Sequence, residues 1–301
     1  MKLKELEGIL KSYNKITILG HDNIDVDAFL SGILMSNLLD YLNIRNEFLI
    51  LEEIKEGETY QIIKEQFNNI DLRDYYSGEE DASRKLFLED HYETSHLGEV
   101  VACLDHHPTT KTIEYPFYDS RISCATAYLV YELMQEAQYP VSAEEAKMIL
   151  VSMMVDTVSF RNTKTVKEEV VAAKRLAEQY KLDYQEIEKY CLCLTKIDGV
   201  SIEKIINNGY KNYNFCGKRV KSSYLQIYSM VEEETLSTWL EHIKQKVKKD
   251  NFDMWVFILY ELKEGITYEY HIIPEDVEVI VSAGILSRGK DIMPKVEELF
   301  N

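Results

Sequence analysis

His21, Asp25 and Asp27 fall within seven residues, HDNIDVD, between two apolar runs, KITIL and LSGILMSNLL. Their H-x3-D-x-D spacing offers one imidazole and two carboxylates from a single loop. A mixed nitrogen and oxygen donor set of this kind suits a divalent transition ion such as manganese better than calcium or a thiolate-bound zinc. The same residue types also serve as ordinary turn and helix-cap residues, so the loop by itself supports both readings about equally. One loop cannot complete a metal site. Five further candidates end other apolar runs: Asp90 closes KLFLED, Asp105, His106 and His107 close EVVACLDHH, and Asp156 follows MILVSMMV. Alone, a histidine doublet after a strand is more often surface or structural, and Asp156 could simply terminate an element. Together these acidic and histidine-bearing ends can meet at one edge of a sheet.

The elements that would carry them alternate. KITILGH, NEFLILEE, KLFLED and EVVACLDHH read as strands; Ala28 to Tyr41, CATAYLVYELMQEA, AEEAKMILVSMMV and VKEEVVAAKRLAEQYK carry helical spacing. Strands alternating with helices imply an α/β fold with a mainly parallel sheet and helices on both faces. Sites in such sheets collect at the carboxyl ends of the strands, where the candidate ligands lie.

Composition narrows the function. With 301 residues and 46% hydrophobic content, the chain can bury the cores of two domains. No apolar run reaches membrane-spanning length, and the start, MKLKELEGILKSYNK, is amphipathic and charged without a signal-peptide core, so a cytoplasmic protein is expected. Five cysteines, at 103, 124, 191, 193 and 216, form no C-x2-C pair and read mainly as buried thiols. A formal net charge of −18 argues against general nucleic-acid binding, while leaving room for a small phosphorylated substrate gripped by metal ions or a local basic pocket.

HDNIDVD, LEDHYE, LDHHP and VDTVSF resemble the four motifs of the DHH phosphoesterase superfamily, and most closely those of the manganese-dependent (family II) inorganic pyrophosphatases. The resemblance extends along nearly the whole chain: SCATAYLVYEL is similar to the helix start after the DHH motif, and GYKNYNFCGKRV and ILSRGKDIMP to two stretches of the C-terminal domain. The GGGH-like signature of the nucleotide-cleaving branch is absent. The resemblance implies His21, Asp25 and Asp90 around one metal ion and Asp27, Asp90, His106 and Asp156 around another, with Asp90 shared. It implies His107 facing the substrate and Asp105 orienting a histidine; His91, Glu93 and His96 stay outside the ligand set.

The resemblance further implies a phosphoanhydride hydrolase, with inorganic pyrophosphate as first substrate. Such an enzyme needs two or more Mn2+ ions, Mg2+ or Co2+ being possible substitutes, acts as a homodimer, and requires no nucleic acid or membrane. Four ligand aspartates would cancel the charge of two divalent ions, so extra cations are required; Lys211, Arg288 and Lys290 are the candidates. They fall in a smaller α+β domain, residues 198–301, joined to a metal-binding domain, residues 1–190, through KYCLCLTKIDGV. Its strands are expected at GKRVKSSYLQIYSM, FDMWVFILYEL, ITYEYHIIP and VEVIVSAG, with helices around STWLEHIKQKVKK and near the terminus. The family's usual S-R-K reads Ser287, Arg288, Gly289 here, which weakens the expected grip on pyrophosphate. An exopolyphosphatase and a non-catalytic phosphate-sensing relative are the alternatives. No nucleotide-sensing insertion separates the second motif from the DHH segment.

Overall fold

A computed structural model of the chain describes residues 2–107, 109, 111–162, 165–195 and 197–300, except for the side chain of Lys290. The chain divides into two compact units between Cys191 and Leu192. The first holds α1 (Lys2–Leu10), β1 (Ile16–Leu19), α2 (Val26–Tyr41), β2 (Asn46–Leu49), α3 (Glu58–Gln66), β3 (Lys85–Glu89), β4 (Glu99–Asp105), β5 (Phe117–Ser120), α4 (Thr126–Glu136), α5 (Ala143–Asp156) and α6 (Lys167–Gln179), with α7 (Tyr184–Leu192) at the division. The second holds α8 (Ile202–Ile206), β6 (Lys211–Phe215), β7 (Lys218–Ile227), α9 (Glu233–Lys249), β8 (Met254–Glu261), β9 (Ile266–Ile272), β10 (Val277–Ala283) and α10 (Met293–Glu298).

In the first unit the strands run parallel in the order β2-β1-β3-β4-β5. The central strands read as unbroken apolar runs because neither face meets water; all four residues of β1 are buried. The same burial explains α2, which is apolar nearly all round and packs against α4 and α5. Gly32 permits the close approach of α2 to β2, because a Cβ there would stand 2.3 Å from the Phe48 ring. Ser142 and Glu145 start α5 with reciprocal side-chain to backbone bonds, leaving few orphan donors at the helix that carries Asp156. A cluster of Leu19, Leu86, Leu88 and Cys103 is packed by Leu49, Leu51, Tyr92, Val100, Tyr115 and Tyr118, all from strands and loops. That part of the sheet surface is sealed by a thin aromatic layer.

The second unit is a mixed sheet in the order β10-β9-β8-β7-β6, parallel only between β7 and β8. Trp239, Ile243 and Val247 of the amphipathic α9 join Trp255, Phe257, Leu259 and Ile272 of the sheet in one core. The Trp255 indole N–H donates to Ser223 Oγ at 2.8 Å, so the largest buried side chain leaves no unpaired donor. Cys103, Cys124 and Cys191 are buried as expected, whereas Cys193 is half-buried and Cys216 is exposed. Cys216 occupies the tight β6–β7 turn, with φ at +51°, where no core can form around it. Among the described residues no helix is long and apolar enough to cross a membrane.

Candidate metal centre

The carboxyl ends of β1, β3 and β4 stand side by side in the sheet, and each is followed by a candidate ligand. After β1 the chain turns at Gly20, where a Cβ would meet Ile24 Cδ1 at 2.5 Å, and then presents His21 and Asp25. Asp25 serves in two ways: its Oδ1 accepts from Ala28 N at 3.0 Å and caps α2, while Oδ2 faces His21 Nε2 at 3.5 Å. The capping and ligand readings of the acidic loop are therefore compatible. His21 Nδ1 donates to the Asp22 carbonyl at 2.8 Å, which leaves Nε2 free to bind an ion.

Asp90 follows β3 in the left-handed region, φ +67°, a conformation that aspartate tolerates better than most side chains. Its carboxylate is almost wholly buried, and its two oxygens face different imidazoles. Oδ1 stands 3.2 Å from His106 Nε2 and 3.6 Å from His107 Nδ1; Oδ2 stands 3.6 Å from His21 Nε2. The Thr126 hydroxyl donates to Oδ1 at 2.8 Å and fixes the plane of the group. His106 donates from Nδ1 to Ser123 O at 3.0 Å and turns Nε2 inward, 3.5 Å from Asp156 Oδ2 and 3.9 Å from Asp27 Oδ2. The loop bearing Ser123 is in turn held by Glu169, which accepts from Ser123 Oγ and Cys124 N.

Asp27 lies in the first turn of α2, yet it acts as the missing cap of another helix. The residue preceding α4 is Ala125, which has no side-chain acceptor; Asp27 accepts instead from Thr126 N at 2.6 Å and Ala127 N at 3.0 Å. Asp156 ends α5, and the chain then takes three consecutive left-handed residues, Val158, Ser159 and Phe160. Asn162 Nδ2 bonds the Asp156 carbonyl at 2.9 Å across this turn. A β-branched and an aromatic residue in that backbone region are strained, and such strain clusters where a side chain must be held in place.

Two donor groups thus share one residue: His21, Asp25 and Asp90, and Asp90, His106 and His107. Ligand atoms about 2.1 Å from a common ion stand roughly 3–4 Å apart, which is the spacing of these pairs. His106 Nε2 and Asp90 Oδ2, which lie on different sides of the Asp90 carboxylate, are each buried without a hydrogen-bond partner, a costly arrangement that a cation beside each would relieve. The electrostatics agree. Asp25 and Asp90 push His21 up to about 11; burial opposes the same effect at His106, but Asp90 and Asp27 still raise it to about 10. Burial and then Asp90 raise Asp27, and burial and then Asp27 raise Glu89. Burial would raise Asp90 too, but the His106 and His21 imidazoles prevail and lower it. The raised His21 and His106 mark two positions where the surrounding carboxylates favour positive charge.

His107 is 42% exposed and is oriented by Asp105, whose Oδ1 accepts from its backbone N at 2.9 Å and its Nδ1 at 3.0 Å. Asp105 therefore positions His107, not the inward-facing His106. His91 packs edge-on against His21 with ring centroids 6.3 Å apart and lines an open cleft of about 640 Å³ with His21, Asp22, Glu93, Thr94, Ser95 and Tyr115. Lys211 and Arg288 belong to the second unit. Lys211 is exposed at the start of β6; the Arg288 guanidinium donates to Gly209 O and lies over the Tyr224 ring at 5.2 Å. Lys290 lies outside the described side chains. Sequence reasoning missed Thr126 and Ser123 as supports, although both lie beside or within the helix start that carried the family resemblance.

Residues 15–155 match the DHH family, N-terminal domain. A manganese-dependent inorganic pyrophosphatase of Methanocaldococcus jannaschii is 25% identical over 94% of this chain and 99% of its own. In structure, a Methanococcus jannaschii protein assigned to the family II inorganic pyrophosphatases superimposes with a TM-score of 0.56 at 22% identity, over 95% of this chain and 99% of that one. An exopolyphosphatase-related protein from Bacteroides fragilis gives a TM-score of 0.51 at 14% identity, over 99% of this chain and 96% of that one. Three of the four motifs lie within the matched span and at the carboxyl ends of β1, β3 and β4, so the first unit of this chain is similar to the DHH family's N-terminal domain, in a protein that resembles the manganese-dependent inorganic pyrophosphatases along nearly its whole length.

Proposed function

We propose that the chain hydrolyses inorganic pyrophosphate to two phosphates. Manganese ions would be held by His21, Asp25 and Asp90 at one position and by Asp27, Asp90, His106 and Asp156 at the other. The observation that carries this reading is the buried Asp90 carboxylate, whose two oxygens face imidazoles on opposite sides. When bound, the ions would polarise the attacked phosphoryl group and lower the pKa of an attacking water. The protein's own part is to hold this geometry. Thr126 and the α4 backbone fix Asp90 and Asp27 before any ion arrives, and Asp105 aims His107 at the phosphate, where its outward nitrogen can contact an anionic oxygen.

Asp25, Asp27, Asp90 and Asp156 together cancel two divalent charges, so a multiply anionic substrate needs further cations. Lys211, Arg288 and Lys290 would supply them from the second unit. Arg288 suits this role because its stacking on Tyr224 orders the guanidinium and favours bidentate contact with phosphate. The test is phosphate release by manganese-loaded protein from pyrophosphate, tripolyphosphate and longer chains, with fastest turnover expected on pyrophosphate. Absence of turnover on all three would favour a phosphate-binding relative. Light scattering would check the homodimer.

Gly289 favours a second reading, an exopolyphosphatase. The missing side chain removes a cation and leaves room for a longer chain; a Cβ at Gly289 meets no atom within 4 Å, so a lysine can be restored without a clash. Gly289→Lys should raise kcat/KM for pyrophosphate relative to tripolyphosphate by one to two orders of magnitude, if a charge-assisted contact of about 1.5–3 kcal/mol is regained. An unchanged ratio with intact metal content would remove Gly289 from the account of substrate choice.

A further inference from the structure

His96 sits outside both donor groups, yet it joins three separate segments around them. Its Nε2 lies 2.5 Å from Asp22 Oδ1, in the loop after β1, and its Nδ1 lies 2.6 Å from Glu80 Oε1, in the segment before β3. Glu80 also accepts from Leu97 N through Oε2 at 2.9 Å, so one carboxylate grips the ring and the backbone beside it. With a carboxylate at each ring nitrogen, both nitrogens donate and the imidazole carries a positive charge. Burial would discharge the ring, but Glu80 and Asp22 prevail and raise its pKa. The His96 ring is 18% exposed, while its partners Asp22 and Glu80 are 52% and 42% exposed, so the ring is the sheltered member of two pairs at the surface.

Asp22 is the residue whose carbonyl accepts from His21 Nδ1. That bond decides which face of the His21 ring, and which nitrogen, is turned toward Asp25 and Asp90. Two other contacts hold the same loop, Asn23 N to Glu52 Oε2 at 3.1 Å and Thr59 Oγ1 to Ile24 O at 3.1 Å, but neither reaches Asp22. Asn23 itself stands at φ +53°, so the loop is bent sharply just beyond Asp22.

We propose that His96 is a positioning residue for the metal at His21 and Asp25, acting through the chain Glu80, His96, Asp22 carboxylate, Asp22 carbonyl and His21 ring. The proposal rests on reading His21 and Asp25 as metal ligands. It assigns the segment after the DHYE motif a role that the ligand geometry alone does not give it: holding the loop-borne half of the centre in register with the half anchored in the core. Partners that orient a metal-bound imidazole typically change metal affinity by about 10–100-fold when removed.

The test is a stepwise manganese titration of the full-length protein against a competing chromophoric chelator, for the native chain, His96→Ala, His96→Gln and His21→Ala. His96→Ala should weaken one of the two binding steps about 10–100-fold and leave the other unchanged, with an unaltered melting temperature of the metal-free protein. His96→Gln, which keeps one donor toward a carboxylate, should recover part of the loss. Native affinity at both steps in His96→Ala, while His21→Ala loses one step, would overturn the proposal and leave the ligand reading intact. Equal weakening of both steps with a lowered melting temperature would also overturn it, by showing a general structural role. Retention of both steps in His21→Ala would reject the ligand reading itself.

Discussion

Asp27, Asp90 and His106 have side chains no more than 2% exposed and are fixed by the α4 backbone, Thr126 and Ser123; His21 and Asp25 are 28% and 51% exposed and sit in a loop. The buried set is organised by the same hydrogen bonds that start a helix and close a strand, so its geometry exists as soon as the first unit folds. The loop set is held by ties from Glu52, Thr59 and His96 that reach the loop around His21 and Asp25 and not the two residues' carboxylate or Nε2 atoms. One centre thus contains a rigid half and an adjustable half. The rigid half concentrates negative charge that a bound cation would offset, whereas the adjustable half faces water.

Asp90 belongs to both halves, so its removal should have the largest effect. Asp90→Asn is expected to lower pyrophosphate turnover by about three orders of magnitude or more and to weaken both manganese steps, whereas Asp105→Asn should be milder. Native turnover with about two retained ions, measured by atomic absorption, would break the division of the centre around Asp90. Thr126→Val is nearly isosteric and strips one donor from the rigid half; turnover should fall about 10–100-fold, with the binding step of the buried position weakened more than the other. Under chelation the two halves should separate in time, the loop-held ion leaving at least about tenfold faster in a stopped-flow assay, because water and chelator reach it directly. A single exponential would show one cooperative centre. The smallest effect is one on the metal-free protein alone: besides removing a proposed ligand, Asp25→Ala removes a helix cap, which should cost about 1 kcal/mol, seen as a fall of a few degrees in melting temperature.

Much of the rigid half is legible in the sequence because its ligands end strongly apolar runs. KLFLED and EVVACLDHH become β3 and β4 with Asp90 and Asp105 at or just past their carboxyl ends, and the runs before Asp27 and Asp156 fold as read. Pairing across long separations leaves no such trace. Asp27 caps a helix 99 residues away, and nothing in its neighbourhood announces an uncapped Ala125. β5, only four residues long, presents just Phe117 and Asp119 as buried positions, too little alternation to register as a strand. The short helices α1, α3 and α8 escape a sequence reading for a related reason, since brief segments take their shape from the packing around them. His96 reads as no more than a weak motif match because its partners, Asp22 and Glu80, lie 74 and 16 residues away.

The left-handed backbone at Asp90 constrains what can replace it over evolutionary time. Few side chains accept that φ at low cost, and asparagine and glycine are the readiest. Glutamate keeps the charge but adds a methylene and lacks aspartate's tolerance for this conformation. Asparagine keeps the shape, the Thr126 bond and the turn while losing the charge. The path of least structural resistance at this position is therefore also the path that silences the centre. A lineage drifting along it would retain an intact fold, a closed core and every other motif, differing from its active relatives by one nitrogen in place of one oxygen.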